Sequence, residues 1–308
     1  MHIAVYLPLV LAALAMVSAR WLARRLVPRT ATWLLTTSAL ALAAASSASL
    51  AILAATALGQ LPLLAAVGHW SARVVGRNDP VSIAEALTAC LLLAAAACAA
   101  IRAAVRRARA IVRAARESHR LRSTGRLAVL HEPAPDAYAL PGLPGRIVVT
   151  AAMLDALDDR ERGALLAHER SHLTGAHYLF VAVAEVCAAA NPLLYPVASA
   201  VRYSVERWAD ERAAKVTGDR HLVARTIGKA ALLTDGYHKR PFATLAAAGG
   251  KLRRAGPVPR RVAALLAAPP GSRPLLLASV LGVLVLTTAS IMEAAHDLLA
   301  LLQIVGSP

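Results

Sequence analysis

Four long runs of apolar residues divide this chain into membrane-spanning and water-exposed parts. The runs cover residues 3–19, 31–58, 81–101 and 275–292, and each can cross the hydrocarbon layer of a bilayer as a helix. Hydrophobic residues make up 57% of the chain and the mean hydropathy is +0.54, which excludes an ordinary soluble domain. The pattern predicts a mainly α, polytopic membrane protein with about four transmembrane helices, three within 1–101 and the fourth within 275–308.

Residues 102–274 have a different pattern, which predicts a separate α+β domain. Three short apolar runs predict strands, at 127–130, 137–140 and 146–150. The last two enclose a Pro-Gly-rich turn and therefore read as a hairpin. Asp158 and Glu161 then form the pattern of a capping box, and helical periodicity continues to Gly175.

This predicted helix carries the most informative motif of the chain, His168-Glu169-Arg170-Ser171-His172. Residues four apart lie on one face of a helix, so His168 and His172 form a two-nitrogen clamp for a zinc ion. Glu169 lies beside the clamp and can accept a proton from water, which is the general-base role in metallopeptidases. The motif predicts a catalytic Zn2+ site in a zincin-like domain.

A catalytic zinc needs a third protein ligand and one open position. Glu206, in a later helical segment, is the best candidate, and Asp210 shares its helix face and can orient a ligand histidine through the second ring nitrogen. The metzincin pattern would place a third histidine at position 178, but that residue is Tyr178. His177 lies one residue earlier, and we interpret it as a helix-end residue that supports the site indirectly. Glu185 lies in an apolar run, where a carboxylate is more often paired than a metal ligand.

Arginine placement predicts the orientation in the membrane. Arginines cluster in 20–29, 102–126 and 253–273, whereas the loop 59–80 has only Arg73 and Arg77, and no Lys or Arg follows residue 292. Because basic residues concentrate in short cytoplasmic loops, both termini are expected outside the cell membrane and the protease domain in the cytosol. The net charge of +16 then matches anionic lipid headgroups, and we expect no direct nucleic-acid binding. Cys90, Cys98 and Cys187 form no CxxC pair, so neither a disulfide framework nor a cysteine-ligated metal is expected.

The apolar run 179–201 tests this scheme. A single crossing there would place Glu206 across the membrane from His168 and His172, and zinc could not bind all three. The breakers Asn191, Pro192 and Pro196 favour a helical hairpin, either buried or dipping into the membrane and returning.

The predicted hairpin of strands offers a place for substrate. An extended peptide can add to a sheet edge through backbone hydrogen bonds, and Ile147, Val148 and Val149 are the candidate substrate-binding residues. The alternative is a small sheet that only covers the site helix.

The motifs in order resemble the BlaR/MecR type of integral-membrane gluzincins. The resemblance is carried by Asp136-Ala137-Tyr138-Ala139-Leu140-Pro141-Gly142, Ile147 to Thr150, His168 to His172, Asn191-Pro192 and Glu206 to Asp210, with three spans before the domain and one after it. It implies zinc held by His168, His172 and Glu206, Glu169 as base, and a cytosolic substrate that is often a transcriptional repressor. HtpX and CAAX-type membrane proteases share HExxH and ExxxD but usually place spans between the two motifs.

The chain departs from the best-known members of that family in two ways. It has no Ser-x-x-Lys motif and only a short segment after Met292, so we expect no penicillin-binding sensor domain. Ala209 stands where the antibiotic sensors tend to have Cys, which moves the pattern slightly toward HtpX. The resemblance thus implies a signalling protease that cuts a winged-helix repressor, with self-cleavage in 251–261 as an activating step. The alternatives are quality-control proteolysis and a non-catalytic transducer.

Overall fold

The computed structural model describes residues 2–58, 83–121, 125–238, 258–269 and 271–305, most of them helical. The helices, in chain order, are α1 (His2–Arg25), α2 (Pro28–Leu58), α3 (Ile83–Arg120), α4 (Ala151–Ala156), α5 (Asp159–Thr174), α6 (His177–Ala190), α7 (Tyr195–Thr217), α8 (Arg220–His238), α9 (Val258–Leu266) and α10 (Pro274–Val305). The strands are β1 (Leu127–Leu130), β2 (Ala137–Leu140) and β3 (Arg146–Thr150).

Four of these helices contain spans that are long and apolar enough to cross a membrane, and this fits a multi-pass membrane protein. The spans are Val5–Arg25, Pro28–Ala55, Ala84–Arg120 and Pro274–His296. The third helix runs without a break past residue 101, where the sequence pattern placed a domain boundary, because the alternating Ala and Arg that follow are strong helix formers. The predicted outer loop 59–80 lies outside the described residues.

The three strands form one small sheet in the order β1-β3-β2. The hairpin prediction is confirmed, since β2 and β3 pair antiparallel with Ala139 opposite Ile147. β1 pairs parallel to β3 on its other side. One face of the sheet packs on α5 through Leu165, and the other on the end of α3 through Ala114.

This topology corrects the expected substrate edge. Ile147, Val148 and Val149 are buried in the central strand, and their backbones are paired on both sides. They hold the sheet together and offer no edge to a peptide. Within the described sheet, the edges belong to β1 and β2.

Helices α6 and α7 form the hairpin expected from 179–201, and it packs among the candidate membrane spans. Phe180 meets Trp33 of α2 edge to face, with ring centroids 4.8 Å apart. At the tip of the hairpin the Asn191 amide donates to Ser46 Oγ over 3.0 Å. Ser46 lies about 20 Å further along α2 than Trp33, at 1.5 Å per residue. The hairpin therefore runs along α2 and returns.

The tip of the hairpin satisfies its own irregular backbone. The Asn191 side chain accepts a hydrogen bond from the Leu193 N–H, and the Asn191 carbonyl accepts one from the Leu194 N–H. Pro192 needs no backbone partner for its nitrogen. Satisfied polar groups are what a non-helical turn needs in a water-poor environment.

Helix α7 joins this membrane-associated bundle to the motif helix. Its first half is buried with α1 and α2 through residues such as Val201 and Val205. Its second half packs against α5, α8 and α9 through Ala213 and Ala214. Glu206 and Asp210 lie between the two halves, so their position depends on both packing interfaces.

Candidate metal centre

The motif lies on α5, and local interactions explain why this helix begins where it does. The Asp158 carboxylate accepts the Glu161 N–H over 2.8 Å, and the Glu161 carboxylate accepts the Asp158 N–H over 3.1 Å. This is the predicted capping box, and it satisfies two N–H groups that the first turn would otherwise leave unpaired. His168, Glu169 and His172 follow in the second half of the helix, where His168 and Glu169 are buried and His172 is partly buried.

The structure brings together the three predicted metal ligands. Nε2 of His168 and Nε2 of His172 lie 3.1 Å apart. The Glu206 carboxylate oxygens lie 3.7 Å from Nε2 of His168 and 3.8 Å from Nε2 of His172. In tetrahedral zinc sites with bonds near 2.0–2.1 Å, ligand atoms are about 3.3 Å apart. The two-His, one-Glu donor set and its spacing therefore fit zinc with one position left open.

Asp210 lies where the prediction placed it, behind the first ligand. Its Oδ1 is 3.0 Å from Nδ1 of His168, which fixes that ring with Nε2 toward the other two ligands. Asp210 is itself held by Arg261, whose Nε and Nη2 donate to the two carboxylate oxygens over 2.8 and 2.6 Å. The Arg261 Nη1 also lies 2.8 Å from Oε2 of Glu206.

Arg261 is therefore a part of the centre that sequence reasoning missed. It is 5% exposed and holds both Glu206 and Asp210 in place. A signal was present, because Arg261 shares the apolar face of α9 with Val258, Val262 and Leu265. Arg261 is also the last residue of the segment 251–261 in which self-cleavage is expected, and its burial disfavours a cut at this position. Residues 251–257 of the segment lie outside the described residues.

His177 supports the second ligand histidine. Its Nδ1 lies 3.1 Å from Nδ1 of His172, and its ring packs on Trp208 with centroids 4.5 Å apart. A continuing helix would have turned His177 away. Instead the chain bends at Gly175 and Ala176, and Ala176 takes a left-handed conformation with φ of 48°. A Cβ at Gly175 would lie 2.3 Å from Nε2 of His177, so the close approach requires glycine there.

Glu169 points into the same buried region and has an altered acidity. Burial raises the pKa of its carboxyl to about 7, while the backbone N–H of Ala139 on β2 and the charge of His168 oppose that rise. A carboxylate with a pKa near neutrality can accept a proton from water and give it up again. Glu169 also lies beside β2, which forms one edge of the described sheet.

The remaining charges favour a cation between the ligands. Burial lowers the pKa of His172 to about 4, so its ring is neutral and its Nε2 lone pair is available. Burial also acts to lower the pKa of His168, but Asp210 and Glu206 outweigh it and raise the value to about 10. Arg261 and the two histidines hold the pKa of Glu206 far below its usual range, against the effect of burial. A bound metal ion would replace the proton of His168.

Glu185 takes no part in this centre. It forms ion pairs with Arg107 of α3 and with Arg202 of α7, the latter at 2.7 Å. The structural interpretation of this carboxylate is confirmed, since its partners tie the α6–α7 hairpin to α3.

These features define the protein as a membrane-associated chain with a candidate metal centre of the HExxH type. A profile of Peptidase family M48 matches residues 102–190, less than a third of the chain, and includes the HExxH motif but not Glu206. The match supports a protease of a zinc metallopeptidase family; it does not extend to the finer BlaR/MecR resemblance. Comparisons with curated proteins and with solved structures gave no significant match.

Proposed function

We propose that this protein is a membrane-embedded zinc-dependent endopeptidase. The observation that carries the proposal is the convergence of His168, His172 and Glu206 from two helices, with Glu169 beside them. A zinc ion held by these three residues would polarise the scissile carbonyl and make an attacking water more acidic. The three ligands and the base are all present, which disfavours a non-catalytic transducer.

Each polar residue of the centre has a separate task in this mechanism. Glu169 takes the proton of the attacking water and delivers it to the leaving amine, because its buried carboxylate lies beside the three ligands. Asp210 and His177 orient the two ligand imidazoles through their second nitrogens. Arg261 holds the two α7 carboxylates, Glu206 and Asp210, in one arrangement.

The peptide would bind along β2 rather than β3. β2 is an edge strand, and its Ala139 N–H lies beside the Glu169 carboxylate. A substrate strand added to this edge by backbone hydrogen bonds would have its scissile carbonyl near the metal ligands.

We place this centre on the cytosolic side of the cell membrane, on the basis of the arginine asymmetry. A Glu132→Cys reporter in a cysteine-free background is expected to resist an impermeant thiol reagent in intact cells and to react after permeabilisation. A Gln60→Cys reporter is the matched control and should react in intact cells. Labelling of position 132 but not of position 60 in intact cells would reverse the orientation.

The proposal has two forms, which differ in the class of protein that the peptidase cleaves. The resemblance to BlaR/MecR proteins supports cleavage of a cytosolic winged-helix repressor as an antirepressor signal. One structural observation favours quality-control proteolysis of membrane proteins instead: the α6–α7 hairpin packs along α2, so the centre is next to the candidate spans. Proteomes of cells with wild type or Glu169→Gln distinguish them, because one stabilised repressor marks signalling and many retained membrane proteins mark quality control.

Replacement of Glu169 by Gln tests the catalytic proposal directly. We expect the purified variant to retain zinc but to cleave fluorescent casein about 10²–10⁴-fold more slowly, because the base is lost while both imidazoles remain. Elemental analysis gives the zinc content and fluorescence release gives the rate.

Two further variants control this experiment. Glu117→Gln makes the same chemical change at an exposed position of α3 and should keep both zinc and activity. Glu206→Gln should instead lose zinc. Full activity of Glu169→Gln, or unchanged zinc in Glu206→Gln, would contradict the assigned roles.

A further inference from the structure

A cavity lined by arginines opens where the membrane-associated helices meet the metal-centre domain. Its volume is about 460 Å³, and it is bounded by the end of α1, by α7, by an alanine-rich face of α9 and by the start of α10. The polar side chains that line it are Arg24, Arg25, Tyr203, Arg207, Arg260 and Arg273. Among the residues that the structure describes, no acidic side chain lines it.

Arg207 is the buried member of this set, and its charge has no carboxylate partner among the described residues. Only 4% of the Arg207 residue is exposed to solvent. One guanidinium nitrogen donates to the Ala23 carbonyl over 3.1 Å, and the Tyr203 ring lies 5.9 Å away. Its Nε makes no hydrogen bond. Burial of an unpaired charge with an unused donor is costly, so this site favours an anionic hydrogen-bond acceptor.

The other four arginines add positive charge at the mouth of the cavity. Arg24, Arg25, Arg260 and Arg273 are exposed, and none forms an ion pair within the described ranges. The sequence from 239 to 257, which precedes α9, contains no Asp or Glu that could neutralise them. Guanidinium groups bind phosphate oxygens through paired N–H donors, so this arrangement is selective for a phosphate-like anion.

The position of the cavity indicates where the phosphate comes from. Arg25 is the last residue of one candidate span, and Arg273 directly precedes another, which begins at Pro274. Both arginines therefore lie at the level where lipid headgroups meet water. Basic pockets between membrane helices at this level bind acidic lipid headgroups, and the alanine face of α9 can contact the apolar part of such a molecule.

We propose that this cavity is a binding site for the phosphate headgroup of an anionic phospholipid. The lipid phosphate accepts hydrogen bonds from Arg207 inside and from Arg260 and Arg273 at the mouth. Arg207 and Arg260 are adjacent in sequence to Glu206 and Arg261, so an occupied cavity stabilises the two helix turns that carry them. The proposal depends on neither zinc nor peptidase activity.

Lipid binding to the full chain in nanodiscs and by native mass spectrometry tests the proposal. Phosphatidylglycerol, added to protein in phosphatidylcholine, is expected to be retained and to raise the thermal unfolding midpoint of the wild type. The double variant Arg260→Gln/Arg273→Gln should bind it about tenfold more weakly or worse, because charged hydrogen bonds of this kind contribute at least that much. Both residues are exposed, so the variant should fold.

The variant Arg113→Gln/Arg116→Gln removes the same charge from an exposed stretch of α3 and is the matched control. It should bind phosphatidylglycerol as the wild type does. An equal loss in this control would mean that only general charge attracts the lipid. Retention of phosphatidylcholine to the same extent as phosphatidylglycerol would show that the site is not specific for an anionic lipid. Inorganic phosphate alone stabilising the protein as much as phosphatidylglycerol would show the same. Any one of these three results would overturn the proposal.

Discussion

The metal centre and the basic cavity occupy neighbouring faces of α7, yet they contain opposite excesses of charge. At the metal centre, Glu206, Asp210 and Glu169 surround two imidazoles, and Arg261 is the one buried guanidinium that contacts them among the described residues. The arrangement has an excess of acceptors and calls for a cation. The charged groups that line the cavity within the described part of the chain are all guanidinium groups, and they favour an anion.

The difference teaches that adjacent residues on one helix turn can serve separate ligands. Glu206 faces the histidines whereas Arg207 reaches the Ala23 carbonyl of α1. On α9 the same division separates Arg261, which is buried at the metal centre, from Arg260, which lines the cavity. The helix face on which a polar residue lies, and the groups that it contacts there, therefore determine which ligand it can bind.

The largest effect expected from this comparison is that of Arg261→Met. Loss of this guanidinium leaves His168 as the one cation beside both Glu206 and Asp210 among the described residues, and breaking a buried pair in this way costs about 3–5 kcal/mol. The zinc-free protein should unfold at a clearly lower temperature than the wild type, as measured by thermal unfolding in phosphatidylcholine nanodiscs after chelation.

Arg260→Met provides the matched control one residue away. It should leave the unfolding temperature of the zinc-free protein unchanged in phosphatidylcholine and lower only the response to phosphatidylglycerol. If the two variants behaved alike, the division between the two faces of α9 would be wrong.

A smaller effect, on zinc affinity, is expected from replacing His177, which contacts the second ligand histidine, His172. In His177→Phe the ring that packs on Trp208 is kept, but the contact with Nδ1 of His172 is lost. Partners of this kind typically contribute 10–100-fold to metal affinity, and we expect a loss of about tenfold. Competition with a chromophoric chelator measures the affinity.

Tyr178→Phe, at the neighbouring position, should bind zinc as tightly as the wild type. The zinc-free His177→Phe protein should be no less stable, because Nε2 of His177 is buried without a hydrogen bond. A drop in stability with unchanged zinc affinity would assign His177 to packing alone.

Much of the centre could be predicted because its pattern is local. HExxH places two imidazoles on one helix face, and the four-residue spacing of Glu206 and Asp210 does the same for the carboxylates. The four apolar spans are equally local in their signal and are confirmed as helices of sufficient length. The orientation of these helices in the membrane stays a prediction.

The features that sequence reasoning missed depend on contacts between distant segments. Arg261 meets Asp210 across 51 positions, and Arg207 meets Ala23 across 184. No periodicity within α7 reveals the carbonyl of α1. The order β1-β3-β2 was missed for the same reason, because β1 pairs in parallel with the side of β3 that the hairpin leaves open, which places Ile147 to Val149 in the centre.

The smallest expected effect concerns Glu161, a buried carboxylate whose cations are exposed. Lys229 donates to it over 2.6 Å, and Arg225 lies 3.5 Å away. The Lys229 hydrogen bond lowers the pKa of Glu161 below its ordinary value of 4.5, so the ion pair stabilises the protein above that pH and loses its effect as the pH falls.

Glu161→Gln keeps an acceptor for the Asp158 N–H but removes the charge. With cations this exposed we expect a loss of about 0–1 kcal/mol at pH 7, and the difference from the wild type should shrink below pH 4.5 in thermal unfolding. A difference that grew on acidification would contradict the assignment, whereas the exposed Glu132→Gln should show none at any pH.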